Sequence, residues 1–201
     1  MRRTAPSLAL VAITALVGPT GLHAQISSDC WIVPQRDGSP TSPEAAMNRT
    51  SPKRSIDFTL GDQAATLCWD APSVRGREIF GGLQPYGELW RMGANEATSI
   101  HLPFAAEIGG IRLEPGSYTI YAKPGRESFE IFVNARVERW GIPFTDDVRE
   151  NDIGSFTRPV TRIDTPVEQL RFTFESHGEG MGHLVMEWAD VRVEIPVHRV
   201  M

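Results

Sequence analysis

From Ser55 onward the chain alternates apolar and polar side chains with a period of two, the repeat of a strand that buries one face. Ile56, Phe58 and Leu60 share one face of a first strand, and Ala65, Leu67 and Trp69 share one face of a second, with Gly61 and Asp62 turning between them. Strand patterns resume at 98–104 and continue through Ala106–Ile108 and Ile111–Leu113. Gly109 and Gly110 form a two-residue hairpin signal, because both turn positions can take positive φ without a Cβ clash. Pro115-Gly116 and Pro124-Gly125 then set off 117–123 and Ser128–Asn134, which the pattern reads as a meander. Residues 135–156 lose the alternation and hold Asp146, Asp147, Glu150 and Asp152 around a short helical turn, the pattern of a surface loop. Three final strands are expected at 158–163, 169–175 and 184–197, the last split near Ala189 and Asp190.

Short strands with Gly or Pro turns, and no amphipathic helix longer than two turns, predict an all-β fold. The expected architecture is an antiparallel β-sandwich, jelly-roll-like, with one long ordered loop and few short helical turns. A parallel α/β fold would require crossover helices of about a dozen residues, for which most connections are too short.

The start of the chain has a different pattern. Arg2 and Arg3 precede an apolar run over 8–17 that is too short to span a bilayer, and Gly18, Pro19 and Gly21 come next, before Leu22-His23-Ala24. Residues 1–24 therefore read as a signal peptide cleaved after Ala24, which places the mature chain in the periplasm or outside the cell. Residues 25–54 form a proline-rich arm, with Pro34, Pro40, Pro43 and Pro52 and one helical turn near Glu44 to Met47. The remainder, 55–201, has the length of a single domain.

Twenty Lys and Arg stand against twenty-five Asp and Glu. Two of the basic residues lie in the leader, so the mature chain is more acidic still and has no electrostatic footprint for nucleic acid. No later apolar run is long enough for a membrane span. Cys30 and Cys68 are the two cysteines. Export allows a disulfide between them, tying the arm to the second strand; two buried thiols are the alternative.

Residues 71–96 interrupt the strand pattern. Structureless loops longer than about 12 to 15 residues are uncommon in compact domains and are usually functional or disordered. Val74, Ile79, Phe80, Leu83, Tyr86, Leu89 and Trp90 make disorder the wrong composition, so the segment is expected to pack onto the sandwich. It also carries Arg75, Arg77 and Arg91, three glutamates, Asn95 and five glycines, which allow the tight bends an ordered loop needs.

The stretch 75–98, running Arg-Gly-Arg-Glu-Ile-Phe-Gly-Gly-Leu-Gln-Pro-Tyr-Gly-Glu-Leu-Trp-Arg-Met-Gly-Ala-Asn-Glu-Ala-Thr, resembles the signature of the bacterial domain of unknown function 2911 family. Ser51-Pro52, Ala71-Pro72-Ser73-Val74, Pro115-Gly116-Ser117-Tyr118-Thr119, Phe132-Val133-Asn134 and Trp140-Gly141 support the resemblance, which covers roughly residues 50 to 197. It implies an exported protein and carries over no activity and no catalytic residue.

The loop supports two functional readings. In the first, Arg75, Arg77, Tyr86, Trp90, Arg91, Asn95 and Glu96 form a binding site for a small molecule or carbohydrate. There Arg fixes a carboxylate, phosphate or hydroxyl and Trp90 supplies an apolar platform. In the second, the protein is a hydrolase acting on carbohydrate or another exported substrate, with Glu78, Glu88 or Glu96 as acid or base. The architectural alternative is that loop Arg and Glu side chains pair with one another. No cofactor is implied. His177 and His183, in a Gly-rich stretch with Glu179, are weak metal candidates, since two His six apart match no specific zinc spacing. His101, His177, His183 and His198 accompany no Gly-x-Ser-x-Gly elbow, which argues against a serine triad. The sequence sets no oligomeric state.

Overall fold

The computed structural model describes residue 27, residues 29–35 and residues 37–200. The expected signal peptide lies outside the described residues.

Ten strands and two short helices make up the described chain: α1 (Pro43–Met47), β1 (Lys53–Leu60), β2 (Gln63–Asp70), β3 (Ser99–Leu102), β4 (Ala106–Ile108), β5 (Ile111–Leu113), β6 (Gly116–Pro124), β7 (Ser128–Asn134), α2 (Asp146–Arg149), β8 (Asp152–Pro159), β9 (Thr161–Gly178) and β10 (Met181–Arg199). The strands form an antiparallel sandwich of two sheets, one ordered β1-β2-β3-β6-β7-β8 and the other β5-β4-β10-β9. The apolar faces read from the sequence meet between them: Phe58, Leu60, Leu67 and Trp69 face Phe172, Leu184, Met186, Val193 and Ile195 in one core.

The arm carries its own capped helical turn and is bridged to the sandwich covalently. Ser42 caps α1 through a hydrogen bond from the Ala45 amide. Cys30 and Cys68 are joined by a disulfide that fixes the arm to β2.

Three expectations are corrected. The β6–β7 pair read as a meander is present, but the strands at 106–113 that precede it do not lie in the same sheet. The β4–β5 hairpin, turned at Gly109 and Gly110 with both φ positive, leaves for the second sheet, and β6 returns to pair with β3. Residues 152–156 are not loop but the first half of β8, an edge strand whose half-buried side chains give only a weak alternation. The strand expected at 158–163 spans the end of β8 and the start of β9. Those expected at 169–175 and 184–197 are the inner parts of one long hairpin. The first half of β9 is largely exposed and carries no periodic signal, whereas β10 stays continuous through a register shift at Ala189.

Candidate functional site

The segment between β2 and β3 is an ordered cap, fastened by backbone as much as by side chains. Val74 N–H donates to the Glu168 carbonyl, and Trp90 and Ala122 exchange both backbone hydrogen bonds at 2.7 and 2.8 Å. The segment thus takes the place beside β6 that β3, only four residues long, leaves open. Ile79, Phe80, Trp90 and Met92 enter the core as though they belonged to a strand. Arg75, Met92 and Asn95 hold positive φ. For residues other than Gly that conformation costs on the order of 1 kcal/mol each and persists where surrounding structure over-determines it.

Beneath the cap lies a hollow of about 400 Å³. Its floor is Trp90 and Trp188, stacked with ring centroids 5.6 Å apart, and Phe80 meets both edge-on. Arg75, Arg77 and Arg91 line it, and no Asp or Glu does. Arg77 is braced on its own turn, Nε donating to the Val74 carbonyl at 3.0 Å and Nη2 to the Ser73 carbonyl at 2.6 Å. Its Nη1 has no hydrogen-bond partner among the described residues. The Arg75 guanidinium makes one long contact, Nη2 to the Thr50 carbonyl at 3.5 Å, while its backbone N–H donates to Glu168 Oε1 at 2.9 Å. Arg91 lies against Gly141, where a Cβ would sit 2.2 Å from the Arg91 Cδ, so only glycine admits that packing. The Nε1 donor of Trp188 is buried without a hydrogen-bond partner among the described residues.

The other candidate residues lie elsewhere. Asn95 Nδ2 donates to the Ser51 carbonyl at 3.0 Å and to Asp70 Oδ1 at 3.1 Å. Glu96 is buried, accepting from Arg49 Nη1 at 2.6 Å and lying 3.4 Å from Lys53 Nζ. Tyr86 packs on Gly81, with the Arg126 guanidinium 4.8 Å above its ring. All three leave the candidate site. Trp90 stays, as a floor with its rings in the core rather than as an exposed platform.

Asn95 and Glu96 instead belong to a buried charge cluster that sequence reasoning missed. Lys53 is 2% exposed and Asp70 fully buried, their Nζ and Oδ2 3.0 Å apart. Burial pushes the Asp70 carboxyl up to about 7 against the pull of the Lys53 ammonium, helped by the neighbouring Glu96 carboxylate. Glu96 is also raised by burial, but hydrogen bonds from Asp70 and Arg49 outweigh this and hold it below the ordinary carboxylate range. Asp70 therefore keeps the proton the two share. Lys at the first position of an alternating strand reads as solvent-facing, so no sequence signal marked it.

A second hollow, about 700 Å³, opens on the outer face of the larger sheet beneath the arm. One rung across four strands sets Asp57 opposite Thr66, Thr66 opposite His101 and His101 opposite Ser117. His101 shares hydrogen bonds with Ser117 Oγ at 2.9 Å and Ser99 Oγ at 3.1 Å, and Trp31 stands edge-on to its ring. Burial lowers the His101 pKa, Asp29 opposing, so the imidazole is neutral at pH 7 with both nitrogens satisfied. The rings of His177 and His183 approach to 4.5 Å, and His183 Nδ1 lies 3.3 Å from Glu194. Among the described residues no group of three or more side chains is placed to hold a metal ion, and no helix is long and apolar enough to cross a membrane.

A family model described as protein of unknown function, DUF2911, matches residues 51–197. No curated protein matches the chain, and no solved structure does.

Proposed function

Because the chain belongs to the DUF2911 family of proteins of unknown function, a role has to come from the site itself, and we propose that it is a binding module holding a small organic anion in the loop hollow. The observation that carries this reading is a space of ligand size, about 400 Å³, with the guanidinium-bearing Arg75 and Arg77 at its exposed side and no Asp or Glu among its lining residues. The candidate hydrolytic acids fit less well. Glu96 is consumed by Arg49 and Lys53, Glu88 borders a different groove, and Glu78 does not line the hollow.

Export belongs to the same reading. A Cys30–Cys68 bridge suits an oxidising compartment, and the basic and apolar start of the chain suits a leader. A secreted or periplasmic product should begin at Gln25 when its N-terminus is sequenced.

The binding test is calorimetric titration of an anion panel into wild type and Arg75→Gln. Arg75 is exposed, so the variant keeps its fold, and affinity should fall roughly tenfold with the loss of one charge-assisted contact. Equal affinity in the two proteins, or no binding by any anion, would defeat the reading.

A further inference from the structure

We infer that the ligand of this hollow is an amphiphilic anion: an apolar chain or ring with a single carboxylate or phosphate head, inserted apolar end first. The inference rests on the anion-binding reading and adds the chemistry of the rest of the molecule.

Depth separates the two kinds of surface. The floor, Trp90 and Trp188, is buried ring carbon that offers no charge. Arg75 and Arg77 stand at the exposed mouth. An anion that reaches them need not be desolvated at the bottom of the hollow, and the part of the ligand that does reach the bottom meets mostly indole ring surface, together with the Trp188 Nε1 donor.

The rim gives a second, independent observation. Leu83 is 50% exposed and Ile142 38% exposed, two of the four large hydrophobic side chains exposed among the described residues, and both border this mouth. Large apolar side chains left open beside cations are explained by an occupant that covers them while its head pairs with the guanidinium groups. A sugar is a poor match at the rim, since its hydroxyls would lie against the exposed Leu83 and Ile142 side chains. The volume sits near the lower end of ligand pockets, about 300–1,000 Å³. That suits one short chain or a single ring system rather than a two-chain lipid.

The experiment titrates octanoate, octyl phosphate, octanol, acetate and inorganic phosphate into the oxidised full-length protein, following heat and tryptophan fluorescence. Octanoate or octyl phosphate should bind at least about a hundredfold tighter than acetate or phosphate, since each buried methylene adds several-fold. Octanol should bind at least about tenfold more weakly than octanoate. Leu83→Ser should weaken octanoate severalfold and leave inorganic phosphate unchanged, whereas Arg75→Gln should weaken both. Both sites are exposed, and thermal melts check that the variants stay folded. If small polar anions bind as tightly as octanoate, the anion site stands and the amphiphile is refuted. If no anion binds, both readings fall. If the protein binds phosphatidylglycerol vesicles with no saturable binding of monomeric octanoate, the patch is a membrane-docking surface and the inference is overturned. Equal binding of octanol and octanoate overturns it as well.

Discussion

Replacing Lys53 with Met tests the buried charge cluster, because the ammonium is the cation in closest contact with Asp70. At pH 5 Asp70 is protonated in the fold, and Glu96 keeps its partner Arg49 at 2.6 Å. Losing Lys53 there removes hydrogen bonds and little else, about 0.5–1.5 kcal/mol. At pH 8.5 wild-type Asp70 is ionised beside Lys53. In the variant it must either ionise without that partner or stay protonated at a cost of about 1.4 kcal/mol per pH unit. The loss should grow by at most about 2 kcal/mol, the cost of keeping the proton 1.5 pH units above a pKa of about 7, and so reach about 2.5–3.5 kcal/mol. That is a large share of the roughly 5–15 kcal/mol that keeps a domain folded. Urea unfolding at the two pH values measures the difference, and Lys53→Met with Asp70→Asn should recover most of the loss at pH 8.5. A loss that is the same at pH 5 and pH 8.5 would refute the assignment of the shared proton to Asp70.

The same cluster sets a pH dependence in the wild type. Asp70's folded pKa, about 7, lies above its ordinary 3.8, so its contribution is complete at acid pH and is lost as pH rises through 7. His101, lowered by burial, acts in the opposite sense near its ordinary 6.5, so the comparison is with Asp70→Asn, whose stability should fall less between pH 5 and 8 in urea titrations. Removing the bridge by Cys30→Ser with Cys68→Ser should cost about 4 kcal/mol, from closure of a loop with a separation of 38 residues; a loss of unfolding free energy in urea below about 1 kcal/mol contradicts the role given to the arm. Asn95→Ala should cost about 1–3 kcal/mol by removing the amide donor to the buried Asp70 Oδ1, while octanoate affinity in calorimetry stays as in wild type. Gly109→Ala should destabilise by about 1–3 kcal/mol, since its Cβ would lie 2.3 Å from the Phe156 ring at a φ of +58, and differential scanning calorimetry reads the loss.

Strands with one face in the core were legible because an apolar face recurs with a period of two: β1, β2 and the inner half of β10 follow from Phe58, Leu67 and Val193 and their neighbours. The outer half of β9 was not legible, because a strand exposed on both faces leaves no alternation. Within the loop, composition singled out Arg75, Arg77, Trp90 and Arg91, which line one hollow. The same composition could not separate them from Asn95 and Glu96, whose partners Ser51, Asp70, Arg49 and Lys53 lie 25 to 47 positions away in the chain. Trp188 and Ile142 complete the hollow from distant segments, and sequence spacing carries no signal of such a meeting.

Since Ile79, Phe80, Trp90 and Met92 of the cap are buried in the common core, lifting that segment would expose four large side chains to water and break the exchange of backbone bonds at Ala122. The hollow, with Leu83 and Ile142 on its border, is thus already formed in the resting fold. On the binding role proposed above, association should then track collision frequency, with a rate linear in ligand concentration and no plateau from a slow isomerisation.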